Sequence, residues 1–358
     1  MASSPPPERV AATDVSSAMS KESSDKIQLV MGGAPRGSFV RNKHGVTHYL
    51  LESPKGGAAA VSKGLVVLLH GLGTNLSLWD RVVPDLLAAG YTTLRYEYYN
   101  HGWSVGVDPY LKISPEVMLD QLSDVLAFAV PTGTLVFGIV GHSTGGSVAV
   151  LAAQSLPACQ SSRLALVAPA LWANKPAVAK LADKVPDTMH WLMKKRFGPI
   201  IAEIKKGYLQ NCDVAFCKDP KTKLHRYPVE QRAAVAFNKV LLDQHPFAVG
   251  GIGCTATFFL SSSLMPVYRS ALAQVATRTD PGKVVYTAFI IGEEDVVVDF
   301  RSPLMNEYTK GNKFGDRIQV VPLPRIGHEA MDEDSGAVSK AVMAHFEKTF
   351  VAVDDTRV

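Results

Sequence analysis

Apolar residues recur along this chain in two alternating rhythms. Short unbroken runs come at Gly64-Leu65-Val66-Val67-Leu68-Leu69-His70, Tyr91-Thr92-Thr93-Leu94-Arg95-Tyr96-Glu97, Leu135-Val136-Phe137-Gly138-Ile139-Val140 and Leu164-Ala165-Leu166-Val167-Ala168. Runs this short, set between turn formers, predict strands buried on both faces. Between them the period becomes helical. Asp80 to Ala89 ends at Gly90, Pro115 to Ala129 carries Met118, Leu119, Leu122 and Leu126 on one face, and Gly146 to Ala153 is a run of small residues. Ahead of these, Phe39-Val40-Arg41 and Val46-Thr47-His48-Tyr49-Leu50-Leu51 flank Gly45 and predict an antiparallel hairpin. Strand–helix alternation predicts an α/β fold with a mostly parallel, doubly wound sheet covered on both sides.

The alternation stops near Leu171. From there to Gly282 the chain is helical, aromatic and methionine-rich, without clear strands. Val284 to Ile291 and Ile318 to Leu323 restore the strand pattern, and Ala337 to Ala352 predicts a closing helix. An insertion between two strands of one sheet predicts a cap rather than an independent unit. The expected organisation is a tail over 1–37, an α/β core over 38–170 and 283–353, and a helical cap over 171–282. The tail is rich in Ser, Pro and Ala and lacks an apolar signal segment, which predicts disorder.

Composition narrows the picture. With 47% hydrophobic and 20% charged residues in 358, the chain has a globular balance, and no run approaches the roughly 20 apolar residues of a spanning helix. Cys159, Cys212, Cys217 and Cys254 have no disulfide-framework or zinc-ligand spacing, so reduced thiols and a cytoplasmic location are expected, with no metal. His44 and His48 are four apart but lie in the hairpin, not on a helix face. The net charge of +4 is concentrated: residues 171–245 hold 14 Lys/Arg against 7 Asp/Glu. That excess suits either a peripheral contact with an anionic membrane or a solvated helix face. It is too mild, and too bare of recognition motifs, for nucleic acid.

Chemistry enters at Gly141-His142-Ser143-Thr144-Gly145, between the strand ending at Val140 and the helix beginning near Gly146. A strand, a sharp glycine-framed turn and a helix expose a serine hydroxyl above a sheet. A second match, Gly102-Trp103-Ser104-Val105-Gly106, runs into Val107-Asp108-Pro109-Tyr110, a loop sequence, and is read as structural. Ser143 is therefore the expected nucleophile. A serine hydroxyl needs a base. His328, in Pro324-Arg325-Ile326-Gly327-His328-Glu329 just past the last strand, is placed to lean over the strand ends. The base needs an acid to hold its tautomer. Ile291-Gly292-Glu293-Glu294-Asp295 ends a strand in three carboxylates; a turn at Gly292 favours Asp295, with Glu293, Glu294 and Asp299 as rivals. The oxyanion needs two backbone donors, expected from Thr144 and from Leu72 in His70-Gly71-Leu72-Gly73-Thr74.

These segments, together with Asn100-His101-Gly102, resemble the α/β-hydrolase fold superfamily, and the order Ser, Asp, His matches its triad order. Over about residues 38–353 the chain is similar to the capped branch that contains monoacylglycerol lipase-like esterases, C–C bond hydrolases and epoxide hydrolases. Epoxide hydrolases and dehalogenases of that branch carry Asp at the nucleophile, so Ser143 speaks against those activities. Two positions depart from the family pattern. Glu97-Tyr98-Tyr99-Asn100-His101-Gly102 stands where Asp-x-x-Gly-His-Gly is usual, and Val296-Val297-Val298 lacks the customary proline after the acid.

In the cap, Met189, Leu192, Met193, Phe197, Ile200, Ile201, Ile204 and Tyr208 follow helical spacing, interrupted at Gly198-Pro199. That stripe, with Trp172 and Phe258-Phe259-Leu260, reads as the wall of an acyl pocket or as packing that holds the cap to the core. The expected function is a cofactor-free serine hydrolase acting on small-molecule or lipid esters with hydrophobic acyl groups. A C–C hydrolase, aminopeptidase, thioesterase or acyltransferase would use the same triad, and a ligand receptor with little turnover would use the same fold.

Overall fold

The computed structural model describes residues 8–10, 36–54, 62–106, 111–171, 263–280, 282–295, 297–298, 306, 308 and 314–348. The apolar runs become a single ten-stranded sheet. Its strands are β1 (Glu8–Val10), β2 (Ser38–Asn42), β3 (Gly45–Glu52), β4 (Leu65–Leu69), β5 (Thr92–Tyr96), β6 (Val105–Gly106), β7 (Val136–His142), β8 (Arg163–Val167), β9 (Thr287–Gly292) and β10 (Ile318–Leu323). They lie in the order β1-β2-β3-β5-β4-β7-β8-β9-β10, with the short β6 also paired to β3. From β5 to β10 every pairing is parallel; β1, β2, β3 and β6 pair antiparallel.

Helices cover both faces, as alternation within the strands requires. Val67, Leu69, Phe289 and Ile291 face one core with α2 (Pro115–Ala129), α3 (Thr144–Ser155) and α4 (Met265–Ala276). Val66, Leu68, Ala288 and Ile290 face the other with α1 (Val83–Ala88) and α6 (Ser335–Glu347). A one-turn helix α5 (Ala330–Glu333) precedes α6. Each large apolar side chain buried here contributes roughly 1.5–3 kcal/mol. Helix α2 starts where its signals predict, with the Ser114 hydroxyl capping Val117 N–H and Pro115 in the first turn.

Three elements differ from the sequence expectation. The helix expected over 80–89 is a 3₁₀ turn at Leu76–Trp79 and then α1, because Pro84 suits a first helical turn and not a helix interior. Glu8–Val10, within the stretch read as a tail, forms the edge strand β1. It satisfies backbone groups that β2 would otherwise leave at a bare edge, and Arg41 bonds Glu8 at 3.1 Å. Helix α4 falls inside the 171–282 stretch read as cap, yet it buries Tyr268, Leu272 and Val275 in the core beside α3. Residues 172–262 of the proposed cap, including Trp172, the 189–208 stripe, residues 258–260, and Cys212, Cys217 and Cys254, lie outside the described residues.

The strand order creates the site. The chain goes from β4 to β5 on one side and then crosses back to β7 on the other. Ligands in open α/β sheets bind at the strand C-termini at such a reversal. The register Leu69↔Gly141 puts the loop after β4 beside the turn after β7. The pairs His142↔Val167 and Leu323↔Gly292 bring the ends of β8, β9 and β10 to the same edge.

Candidate active site

Ser143 stands between β7 and α3 at φ 50°, ψ −114°. A non-glycine residue with positive φ costs about 1–3 kcal/mol and persists only when its surroundings hold it. Three backbone bonds do so: Ser143 N–H donates to Val167 O at 2.9 Å, and Ser143 O accepts from Gly146 N at 3.0 Å and Ala170 N at 2.8 Å. Gly145 is required by close approach, since a Cβ there would sit 2.3 Å from Leu69 O.

The Ser143 hydroxyl lies 3.1 Å from His328 Nε2, and His328 Nδ1 lies 2.8 Å from Asp295 Oδ2. Asp295 Oδ1 accepts from Val297 N–H at 2.7 Å and Val298 N–H at 2.9 Å. Both oxygens therefore face donors, and Nδ1 carries the imidazole proton. All three residues are buried. The acid reaches this place because Asp295 N–H turns back to Gly292 O at 3.1 Å, while Glu293 N–H and Glu294 N–H bond Leu323 O and Ile326 O. The loops after β9 and β10 are zipped together. Gly292 permits this, since a Cβ would fall 2.3 Å from Ile326 O. Of the rival carboxylates, Glu293 is exposed, Glu294 is half-buried, and Asp299 lies outside the described residues. The missing proline matters little, because Val297 and Val298 supply N–H donors that proline lacks.

Two further side chains hold the base loop. His142 Nε2–H donates to His328 O at 2.9 Å, and Glu333 accepts from Gly327 N–H at 2.8 Å. Neither role was legible in the sequence; the nearest signals were adjacency to Ser143 and a short spacing from His328.

The loop His70-Gly71-Leu72-Gly73 leaves β4 against the nucleophile: a Cβ on Gly71 would lie 3.3 Å from Ser143 Cβ. Leu72 is half-buried and Thr144, the first residue of α3, is buried. The structure thus brings Leu72 and Thr144 to the edge that holds Ser143, His328 and Asp295. A helix N-terminus also favours negative charge developing there.

Ser104 is built into the scaffold. Its hydroxyl donates to Glu97 O at 2.8 Å and accepts from His48 N–H at 2.9 Å, and it is fully buried. Glu97 accepts from His48 Nδ1 at 3.0 Å and from Trp103 N–H. Asn100, where the family pattern has glycine, takes φ 61°, and its side chain accepts from Gly106 N–H at 2.8 Å. Burial pushes the Cys159 thiol up to about 12, which leaves it unreactive. Among the described residues no group of three His, Cys, Asp or Glu is placed to hold a metal ion. Nor is any helix there long and apolar enough to cross a membrane.

A mostly parallel sheet with an antiparallel edge, a strained serine turn after β7, and a carboxylate and a histidine on the loops after β9 and β10 define an α/β hydrolase. The chain belongs to the alpha/beta hydrolase family, whose model matches residues 66–341. Among solved structures it is similar to an esterase from Exiguobacterium antarcticum (TM-score 0.60, 15% identity, covering 87% of this chain and 100% of that one). It is similar to a carboxylesterase structure from Nitrososphaera gargenis (0.58, 15%, 86% and 96%) and to an epoxide hydrolase from Solanum tuberosum (0.59, 18%, 85% and 96%). At these identities the likeness is one of fold. No curated protein sequence matches the chain.

Proposed function

We propose that this hydrolase cleaves carboxylic esters through Ser143, His328 and Asp295. One observation carries the reading: hydroxyl, imidazole and carboxylate bonded in series at 3.1 and 2.8 Å, at the strand C-termini. His328 Nε2 takes the Ser143 proton as the oxygen attacks the ester carbonyl. Asp295 stabilises the imidazolium that forms. The N–H groups of Leu72 and Thr144 hold the oxyanion, each worth about 2.7–4 kcal/mol in the transition state. His328 then protonates the leaving alcohol, and water repeats the cycle on the acyl-enzyme.

The nucleophile separates esters from epoxides chemically. Opening an epoxide with a serine oxygen gives an ether, which water does not cleave, whereas acylation gives an ester that water does cleave. The hydrophobic acyl preference rests on the apolar stripe of residues 189–208, and the basic excess over 171–245 suits contact with an anionic lipid surface.

The test is Ser143→Ala beside the native chain, with a fluorophosphonate probe and p-nitrophenyl esters of increasing length, monoacylglycerols and anilides. Loss of labelling and turnover in a protein that melts normally is the expected result. Full labelling of Ser143→Ala moves the nucleophile elsewhere. Anilide turnover above ester turnover replaces the esterase reading with an amidase one.

A further inference from the structure

The peptide joining Gly71 to Leu72 carries the oxyanion donor of the reading above, and its carbonyl is unusually well held. Gly71 O accepts from His70 Nδ1 at 2.7 Å, from the Thr74 hydroxyl at 3.0 Å and from Thr74 N–H at 3.4 Å. The peptide is planar and trans, so the Gly71 carbonyl and the Leu72 N–H point in opposite directions. Three donors on the oxygen therefore aim the N–H away from His70 and Thr74. Gly71 itself is wedged between this anchor and the nucleophile, since a Cβ on it would lie 2.7 Å from His142 Nδ1 and 3.3 Å from Ser143 Cβ.

The His70 ring is set by its other side. Tyr98 N–H can only donate, and it meets His70 Nε2 at 3.1 Å. The proton of the neutral ring is therefore on Nδ1, where it bonds Gly71 O. The Tyr98 ring packs on the imidazole with centroids 4.1 Å apart. His70 is fully buried and Thr74 is 5% exposed, so water does not compete for these bonds.

We propose that His70 and Thr74 are positioning residues of the oxyanion hole, which fix the Gly71–Leu72 peptide so that Leu72 N–H faces the reacting carbonyl before substrate arrives. Neither touches the substrate. The proposal rests on the ester-hydrolase reading and adds to it the parts that pre-orient one donor, where catalysis gains because no dipole must turn during reaction.

Thr74 gives the cleaner test, because valine keeps its shape and removes only the hydroxyl. Thr74→Val is expected to lower kcat on a p-nitrophenyl ester about five- to tenfold, the worth of one hydrogen bond, with KM within about twofold. Thr74→Ser restores the native rate. A trifluoromethyl ketone, which adds to Ser143 and forms an oxyanion, is expected to lose affinity in Thr74→Val, while the matching methyl ketone, scored as a reversible competitor, does not. Thr74→Ala is measured alongside, with melting temperatures, so a packing failure of valine does not decide the outcome. Native kcat and native trifluoromethyl ketone affinity in Thr74→Val and Thr74→Ala overturn the proposal, as does an equal loss for both ketones, which marks a merely structural residue. If Ser143→Ala abolishes labelling while the Thr74 variants behave as native, this proposal fails alone. If Ser143→Ala still labels, the ester-hydrolase reading fails beneath it.

Discussion

Replacing Asp295 by Asn probes the hydrogen-bond chain with a single atom. Asp295 Oδ1 accepts two backbone N–H groups, from Val297 and Val298, at 2.7 and 2.9 Å. An amide nitrogen cannot accept them, so the Asn oxygen must take that place and its NH₂ must face His328. The 2.8 Å contact then requires Nδ1 to accept, which moves the ring proton to Nε2. There it points at the Ser143 hydroxyl, 3.1 Å away, and the base has no lone pair for the serine proton. In a serine protease with the same chain of bonds this wrong tautomer lowers kcat by about 10⁴, or roughly 5.5 kcal/mol of barrier. A drop of that order is expected here, with KM little changed, in steady-state turnover of a p-nitrophenyl ester. The rate of fluorophosphonate labelling is expected to fall in parallel. Glu293→Gln and Glu294→Gln serve as controls and are expected to stay within about twofold of native. Asp295→Asn within tenfold of native activity, or Glu294→Gln down by a thousandfold, would falsify the assignment.

Two stability measurements probe the scaffold. His48 and Glu97 are a buried pair, 2% and 0% exposed, so His48→Leu leaves the buried carboxylate only the Trp103 N–H and is expected to cost about 3–5 kcal/mol in urea unfolding; a loss under 1 kcal/mol would show that Glu97 finds a further partner. His345 donates to Tyr286 O and accepts from Gln319, and burial above all lowers it from 6.5 to about 4. Its folded value lies below its unfolded one, so the unfolded chain binds the proton first, and stability present above pH 6.5 is lost as pH falls towards 4. At pH 5 the loss from this residue is about 2 kcal/mol, and His345→Gln is expected to flatten the pH 5–7 stability profile by that amount; an unchanged profile would assign the acid sensitivity to other groups.

Much of this molecule could be read along the chain because its information is local. Helix α2 spans Pro115–Ala129 and β10 spans Ile318–Leu323, each at the limits its pattern predicts. Cap, proline and period lie within a few residues of one another there. The serine turn was legible for the same reason: β7, two glycines and α3 are contiguous. Asn100 also announced its conformation, since its short polar side chain tolerates the left-handed region that glycine usually fills.

Where partners are distant, the chain alone gave at most a preference, as the turn at Gly292 did for Asp295. Three carboxylates in a row follow Gly292, and which one meets His328 depends on the bonds that zip the β9 loop to Leu323 and Ile326. The chain does not show that α4 belongs to the core layer, because its apolar face suits a cap as well as α3. Edge strand β1 came from a segment without strand composition, recruited by unpaired backbone groups on β2. The positions of His70, Thr74, His142 and Glu333 around the site likewise depend on strand register. Periodicity encodes which face of an element is buried; it carries no record of which other element that face will meet, and the convergence of loops at one sheet edge is settled only when the strands pair.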